Sequence, residues 1–322
     1  MRRALKFIAI LLLAGSLPAS PSRAEYPDNT IKVIQGFAAG GGSDILLRKI
    51  LPKIAAKLGQ SFIIDYKVGA GGNLAFELVA KAPADGYTLL MGTPALINNP
   101  YLYADVPFDL QRDFAPISLV GTVPDVLVVN TALPVKSVQE LVALAKASPG
   151  KFTFASSGTG SSLHLAGELF KHVAGIDILH IPYKGGSQAM TDIIGGQVDM
   201  MFNVVPSALP LIKGGQLRAL AVTGTTRSAS LPDVPTLAEA GYPDATTVTW
   251  NGLLAPARTP AAIIAKLDKA IVEALNTPEA KQDLAAIGQD LVTDTPAEFA
   301  AFLHAENDKW AKVIRGAGLR PQ

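Results

Sequence analysis

TIKVIQGFAAGGGSDILLRKILPKIAAKL, residues 30–58, decides how the rest of the chain is read. Ile31, Val33 and Ile34 make a short β-branched run, the composition of a buried strand. Residues 36–42 then supply backbone with almost no side chains. Ser43 or Asp44 stands where a helix N-cap is expected, ahead of Ile45, Leu46, Ile50, Ile54 and Leu58 at helical spacing. A helix start carries unpaired N–H groups and partial positive charge, and glycines let a ligand approach the backbone. Strand, glycine turn and helix together can hold an anion. The same glycines also suit a tight turn with no ligand at all, and this stretch alone leaves both readings open. The phosphate-cradling loop needs Lys and Ser/Thr after its last glycine, whereas Gly42 and Ser43 follow Gly41 here. The dinucleotide pattern GxGxxG is not matched cleanly either. A carboxylate is the simplest remaining anion.

Toward the N-terminus, Arg2, Arg3 and Lys6 precede the apolar run of residues 7–13, and Ser22-Arg23-Ala24 ends in small residues. That is the pattern of a secretory signal peptide cleaved after Ala24, too short for a good membrane span. Its removal takes four basic side chains and no acidic ones, leaving 24 basic against 27 acidic, a net charge of −3. Neither nucleic acid nor an anionic membrane is implied as a partner. The chain has no cysteine, so an exported protein of this kind must be stabilised by burial rather than disulfides.

Strands and helices alternate along most of the remaining chain. SFIIDYK (61–67), VGAGGN (68–73) and YTLLMG (87–92) read as strand, glycine turn with helix, and strand; residues 95–123 read as irregular. A second cycle opens with the strand DVLVVN (125–130). It repeats through FTFASSGTGSSLHLAGELF (152–170), HIPYKGGSQAMTDII (180–194), VDMMFNVVPSA (198–208) and RALAVTG (218–224). Thr236 with Glu239 reads as the cap of a short helix. TVTWNGLLA (247–255) is a strand-like crossing, and Thr259, Thr277 and Thr295, each followed by proline, read as N-caps of a helical tail. Repeated strand–turn–helix units argue for parallel sheet covered by helices. Ligands of such sheets bind at the loops leaving the strands, and here those loops are small and hydroxyl-rich. A cleft between two such cycles suits a small polar ligand held largely by backbone N–H groups.

Catalytic chemistry is harder to find. Ser161 or Ser162 beside His164 invites a hydrolase reading, but the GxSxG signature is absent there. His164, in the first turn of its helix, reads as a donor to a ligand oxygen or as a capping and packing residue. Without an HExxH motif, a clustered His/Asp/Glu set or a thiol, no metal site is expected, and no cofactor. Asp44 reads as a cap of its own helix and Asp199 as part of a buried polar network. Lys184 offers charge to a carboxylate or is simply solvated.

Ten pieces in order, GFAAGGGSD (36–44), GAGGN (69–73), ADGYTLLMGT (84–93), DFAPISLV (113–120), SSGTGSSLHLAGELF (156–170), PYKGG (182–186), GGQVDMMF (195–202), RALAVT (218–223), LPDVPTLAEAG (231–241) and WNGLLAPARTP (250–260), carry a family resemblance. The chain resembles the Bug or TctC-like substrate-binding receptors of tripartite tricarboxylate transporters. The resemblance implies an α/β, two-lobed periplasmic-binding-protein fold of the Venus flytrap kind, type II-like, with the ligand cleft between the lobes. It implies residues 25–123 plus 247–322 as one lobe and 124–246 as the other. A ligand carboxylate would be gripped by Phe37, Ala38, Ala39, Gly40, Gly41, Gly42 and Ser43. From the opposite lobe Ser157, Gly158, Ser161, Ser162 and His164 would serve, with Lys184, Gly185 and Gly186 beside them and Thr93 and Asn203 on the selectivity wall.

Three departures from the family pattern stand out: Gly36 where proline usually opens the first loop, Val68 where proline usually precedes GAGG, and Pro52 inside the first helix, where a kink is expected. The implied function is a monomeric periplasmic receptor, not an enzyme, delivering a small mono- or dicarboxylate to the membrane permease subunits of a tripartite transporter. A binding module for a signalling partner and an exported serine hydrolase are the alternatives.

Overall fold

The computed structural model describes residues 26–316 and Pro321. The export signal read in residues 1–24 lies outside the described residues. The first half runs β1 (Ile31–Gln35), α1 (Gly42–Leu58), β2 (Phe62–Tyr66), α2 (Asn73–Ala80), β3 (Thr88–Gly92) and two single-turn helices, α3 (Ala95–Asn98) and α4 (Leu110–Asp113). The long strand β4 (Phe114–Asn130) leads into α5 (Val138–Ala147), β5 (Thr153–Ser156), α6 (Ser162–Ala174), β6 (Leu179–Pro182), α7 (Gly186–Ile194), β7 (Met200–Val204), α8 (Val205–Lys213) and β8 (Leu217–Val222). The chain returns through β9 (Val248–Pro256) and ends in α9 (Ala261–Leu275), α10 (Pro278–Ala285) and α11 (Pro296–Gly316).

The strands lie in the order β2-β1-β3-β9-β4-β7-β5-β6, with β8 also on β4. Pairing is parallel at both flanks, β2-β1-β3 and β7-β5-β6, as strand–helix repeats require. The middle is antiparallel. β4 pairs with β9 from Phe114 to Pro124, then with β7 and β8 from Asp125 onward. One strand therefore serves both halves, changing partners at Pro124 and Asp125.

Several readings of the sequence are corrected here. Within residues 95–123, the part from Phe114 onward is not irregular, because β4 begins there. Pro116 hides it, since a proline normally argues against a central strand. Here register shifts beside Pro116 and at Leu119 absorb it as bulges. The Thr236–Glu239 pair exchanges both capping hydrogen bonds, at 2.9 and 3.0 Å, around a turn rather than a helix. Among the threonine–proline pairs, Thr277 caps α10 and Thr295 shares a reciprocal box with Glu298 ahead of α11. Thr259 does not cap, because α9 starts one residue later, after Pro260. Pro52 sits on the exposed face of an uninterrupted α1, where the carbonyl it leaves unbonded can face water.

Alternation along the strands builds a core on each face of the sheet. Val33 packs with Leu47, Ile50 and Leu267 beneath α1 and α9, while Ile34 packs with Phe76, Leu90, Trp250 and Phe299 on the other side. In the second half, Leu127 and Val129 meet Phe154, Phe170 and Phe202, and Val126 and Val128 meet Met201 and Val205. Each such side chain stabilises the fold by about 1.5–3 kcal/mol when fully buried. The cores fix β1 and β5 firmly, so the loops at their carboxyl ends can be bare.

Candidate functional site

The loop after β1 is tied down by a carboxylate rather than by a helix cap. Gly41 occupies the N-cap position of α1 and offers no side-chain hydrogen bond, so neither Ser43 nor Asp44 is the cap expected from sequence. Asp44 instead reaches back, and its Oδ2 accepts the Gly40 N–H at 2.8 Å. Arg48 Nε donates to both carboxylate oxygens at 3.1 and 3.0 Å, and the Tyr66 hydroxyl donates to Oδ1. Burial raises the Asp44 pKa, but the Gly40, Tyr66 and Arg48 contacts outweigh it and leave the group below its ordinary value. Asp44 is thus an ionised, internally neutralised clasp that leaves the amides of residues 41–43 at the cleft.

Four helix starts converge there. The cavity, of about 50 Å³, is lined by the N-cap Gly41 with Gly42, Ser43 and Asp44 of α1, the N-cap Ser161 with Ser162 and Leu163 of α6, Gly186 of α7, and Asn203 and Val204 just ahead of α8. Partial positive charge from several helix N-termini favours an anion. Unpaired polar side chains gather here as well: Gln35, Thr93, Asn203 and Asn251 line the cavity, and the Gln35 amide, Thr93 Oγ1, Asn203 Nδ2 and Asn251 Oδ1 have no hydrogen-bond partner. Gln35, Asn203 and Asn251 are each 1% exposed. Buried polar groups rarely stay unpaired, because each costs about 1–3 kcal/mol. Four around one small space are the mark of a polar ligand site.

Among the residues named from sequence, Phe37, Ala38, Gly41, Gly42, Ser43, Thr93, Ser157, Ser161, Ser162, Gly186 and Asn203 line this cavity. The others do not. Gly40 and Ala39 face outward, one held by Asp44 and the other accepting a Ser187 hydroxyl hydrogen bond at 3.2 Å. Gly185 packs against Ala38, so that a Cβ there would lie 2.9 Å from the Ala38 Cβ. Gly158 and the exposed Lys184 flank separate grooves at the outer edge of the cleft. Gln35, Thr249 and Asn251 were not legible as site residues, yet each interrupts an otherwise apolar strand. In β9, Thr249 and Asn251 line the cavity while Trp250 between them enters the core.

His164 is corrected most clearly. Its ring is buried, its Nδ1 accepts the Gly160 N–H at 3.2 Å, and it stacks on His180 with centroids 4.1 Å apart. Burial, with the neighbouring His180, holds its pKa down to about 3, and burial holds His180 down to about 4. The partner of a histidine is Ser156, 2.7 Å from His180 Nε2 and fully buried, whereas the Ser161 hydroxyl caps α6. No nucleophile–base pair opens onto the cleft from this group. Both rings are neutral in the folded chain and charge more readily when it unfolds. Stability contributed here is complete above about pH 6.5 and is lost as pH falls toward about 4 and then about 3. Each ring's share of the loss between pH 7 and pH 5 is about 2 kcal/mol, so in urea unfolding His180→Asn should lose about 2 kcal/mol less than wild type over that interval.

Residues 46–319 match the TctC profile, described as the tripartite tricarboxylate transporter family receptor. The chain belongs to this receptor family. The protein BugT of Bordetella pertussis is 37% identical over 322 residues, covering 99% of each chain. A solved structure of R. palustris Rpa4515 with adipate is 35% identical with a TM-score of 0.90, covering 92% of this chain and all of that one. MatC from Rhodopseudomonas palustris with bound malate is 30% identical with a TM-score of 0.85, covering 90% of this chain and all of that one. The family is one of periplasmic solute-binding receptors, not enzymes. No helix among the described residues is long and apolar enough to cross a membrane.

Like its relatives, this TctC receptor is two-lobed, and the lobes meet directly across the cleft. The Tyr103 hydroxyl donates to the Thr159 carbonyl at 3.0 Å, and Asn98 Nδ2 to that of Gly160 at 3.4 Å. Beside them Leu165 of α6 packs with Leu102, Trp310 and Ile314. Gly42 faces Val204 so closely that a Cβ on it would fall 2.3 Å from Val204 Cγ2. Residues on both sides of the cavity therefore touch one another directly.

Proposed function

We propose that this receptor captures a small mono- or dicarboxylate in the cavity and delivers it to the permease subunits of a tripartite tricarboxylate-type transporter, working as a monomer after its signal peptide is removed. The observation that carries this reading is the meeting of four helix starts and several unpartnered, buried polar side chains around one small space. The amides of residues 41–43, Asn203 Nδ2 and the Gln35 amide supply donors to a carboxylate, and Arg48 already balances Asp44. The adipate and malate bound by the two solved relatives point to the same ligand class. The lobe boundaries, at 123–124 and 246–247, belong to the same proposal: β4 changes partners just after the first, at Pro124 and Asp125, and β9 begins just after the second, at Val248.

Thermal unfolding of residues 25–322 against mono-, di- and tricarboxylates, amino acids and sugars tests it. A true ligand at about 100 times its Kd adds roughly 2.7 kcal/mol of stability. Silence of every carboxylate, after refolding to strip any bound cargo, would sink the reading. Gly41→Val should weaken the responding ligand by about tenfold or more with little loss of fold. A Cβ there meets only the Ala38 carbonyl oxygen, at 3.4 Å, and the residue borders the cavity. Unchanged affinity in isothermal titration would place the ligand elsewhere.

A further inference from the structure

At the floor of the cleft, where β4 changes partners, Asp125 is completely buried. One carboxyl oxygen, Oδ2, has no hydrogen-bond partner. The other, Oδ1, lies 2.9 Å from Thr249 Oγ1, and Thr249 Oγ1 lies 2.8 Å from Ser162 Oγ. Thr249 and Ser162 both line the cavity, and Ser162 stands at the start of α6. A chain of three side chains thus runs from a buried acid to the ligand space.

Thr249 has one hydroxyl proton and two neighbours, so the chain has a direction. A carboxylate only accepts. With Asp125 ionised, Thr249 must donate to it, Ser162 must donate to Thr249, and Ser162 turns lone pairs toward the cleft. With a proton from solvent on Oδ1, Asp125 donates to Thr249, Thr249 donates to Ser162, and the Ser162 proton is free to point at a ligand. The protonated arrangement also leaves a neutral carbonyl, rather than a charged oxygen, as the unpartnered buried atom.

We propose that Asp125 is a positioning residue for the ligand carboxylate: protonated, it directs the Asp125–Thr249–Ser162 chain so that Ser162 donates into the cleft, and ionised, it reverses that direction. Binding of an anion is then coupled to uptake of one proton. This inference rests on the carboxylate reading above.

The surroundings favour such coupling. Burial pushes the Asp125 carboxyl up to about 7, against the pull of the Thr249 hydrogen bond. β7 and β9 carry no titratable side chain. On β8, Arg218 is occupied by the Leu133 and Val135 carbonyls at 3.0 and 2.8 Å. On α8, Lys213 lies at the far end. On α6, His164 is held neutral down to about pH 3, and Glu168, a turn and more beyond Ser162, lies 3.9 Å from His164 Nε2 and 4.0 Å from Lys171 Nζ. Across the cavity, Asp44 is paired with Arg48.

The test is isothermal titration of wild type, Asp125→Asn and Ser162→Ala with acetate, succinate, malate, adipate and benzoate. It runs from about pH 6.5 to about pH 9, where these ligands are ionised, in buffers of differing ionisation enthalpy. For wild type we expect Kd to rise by up to about tenfold per pH unit on the alkaline side, with net uptake approaching one proton. Both the slope and the uptake should vanish in Asp125→Asn. In Ser162→Ala the affinity should fall and the slope disappear. Tight wild-type binding with neither slope nor proton uptake would overturn the coupling while leaving the carboxylate reading intact. A slope that survives in Ser162→Ala would overturn the role given to that hydroxyl. If no carboxylate binds at any pH, the parent reading fails and this one falls with it. The wild-type proton count and Ser162→Ala decide the matter even if Asp125→Asn does not fold.

Discussion

Gly42→Val should cost the receptor its shut form and raise Kd by roughly 10- to 100-fold. Residue 42 begins α1 with an ordinary backbone conformation, so valine is tolerated within its own lobe. The obstacle lies opposite. A Cβ would stand 2.3 Å from Val204 Cγ2 and 3.2 Å from its Cβ. Val204 joins β7 to α8 and is nearly buried; a β-branched side chain has little rotameric freedom to retreat. Overpacking of this kind costs about 1–3 kcal/mol, and each 1.4 kcal/mol is a decade of affinity. The penalty falls on closure alone. Small-angle scattering should show no compaction of the variant on adding a ligand that compacts wild type, while its unfolding midpoint without ligand stays close to wild type. Val204→Ala in the same chain should restore part of the affinity. Normal closure of Gly42→Val would show that the lobes meet elsewhere.

The largest stability effect is expected at Trp250. It is completely buried between Thr249 and Asn251, with its ring edge-to-face on Phe299 and Phe302 at 6.0 and 5.8 Å. Its Nε1 is buried without a partner, so truncation breaks no hydrogen bond and the whole cost is packing. Trp250→Ala should lose about 3–5 kcal/mol, read as a lower urea midpoint, and Trp250→Phe clearly less. The two flanking residues line the cavity, so ligand affinity should drop with stability. A loss below about 1 kcal/mol would mean that β9 is not the packed centre of its lobe.

Much of this was legible in the chain. The β-branched run of β1, the glycine loop and the apolar spacing of α1 marked a strand–turn–helix unit, and repetition of that unit pointed to the α/β class. What escaped did so for physical reasons. β4 was read too short because Pro116 looks like a strand breaker, and only a long-range partner, β9, shows that a bulge accommodates it. Asp44 was read as a helix cap because local spacing cannot reveal Tyr66, 22 residues away, as its partner. Gln35 and Asn251 went unnoticed because a polar residue in an apolar strand is ordinary until several are seen to face one space. His164 was placed on the cleft by its helix position, but the Phe154 and His180 rings that claim it come from neighbouring strands.

The small cross-lobe cluster of Leu102, Leu165, Trp310 and Ile314 bears on kinetics as well as shape. If the two lobes open, these contacts break, and none of them involves a ligand. Each kcal/mol they contribute raises the resting fraction of shut receptor about fivefold. That fraction can be too small to trap empty molecules and still shorten the climb that the cargo must complete. If those contacts must break before a ligand leaves, residence time should depend partly on a cluster remote from the cavity, and Leu165→Ala should shorten it. A permease that lifts α11 away from α6 would release cargo without touching the cavity.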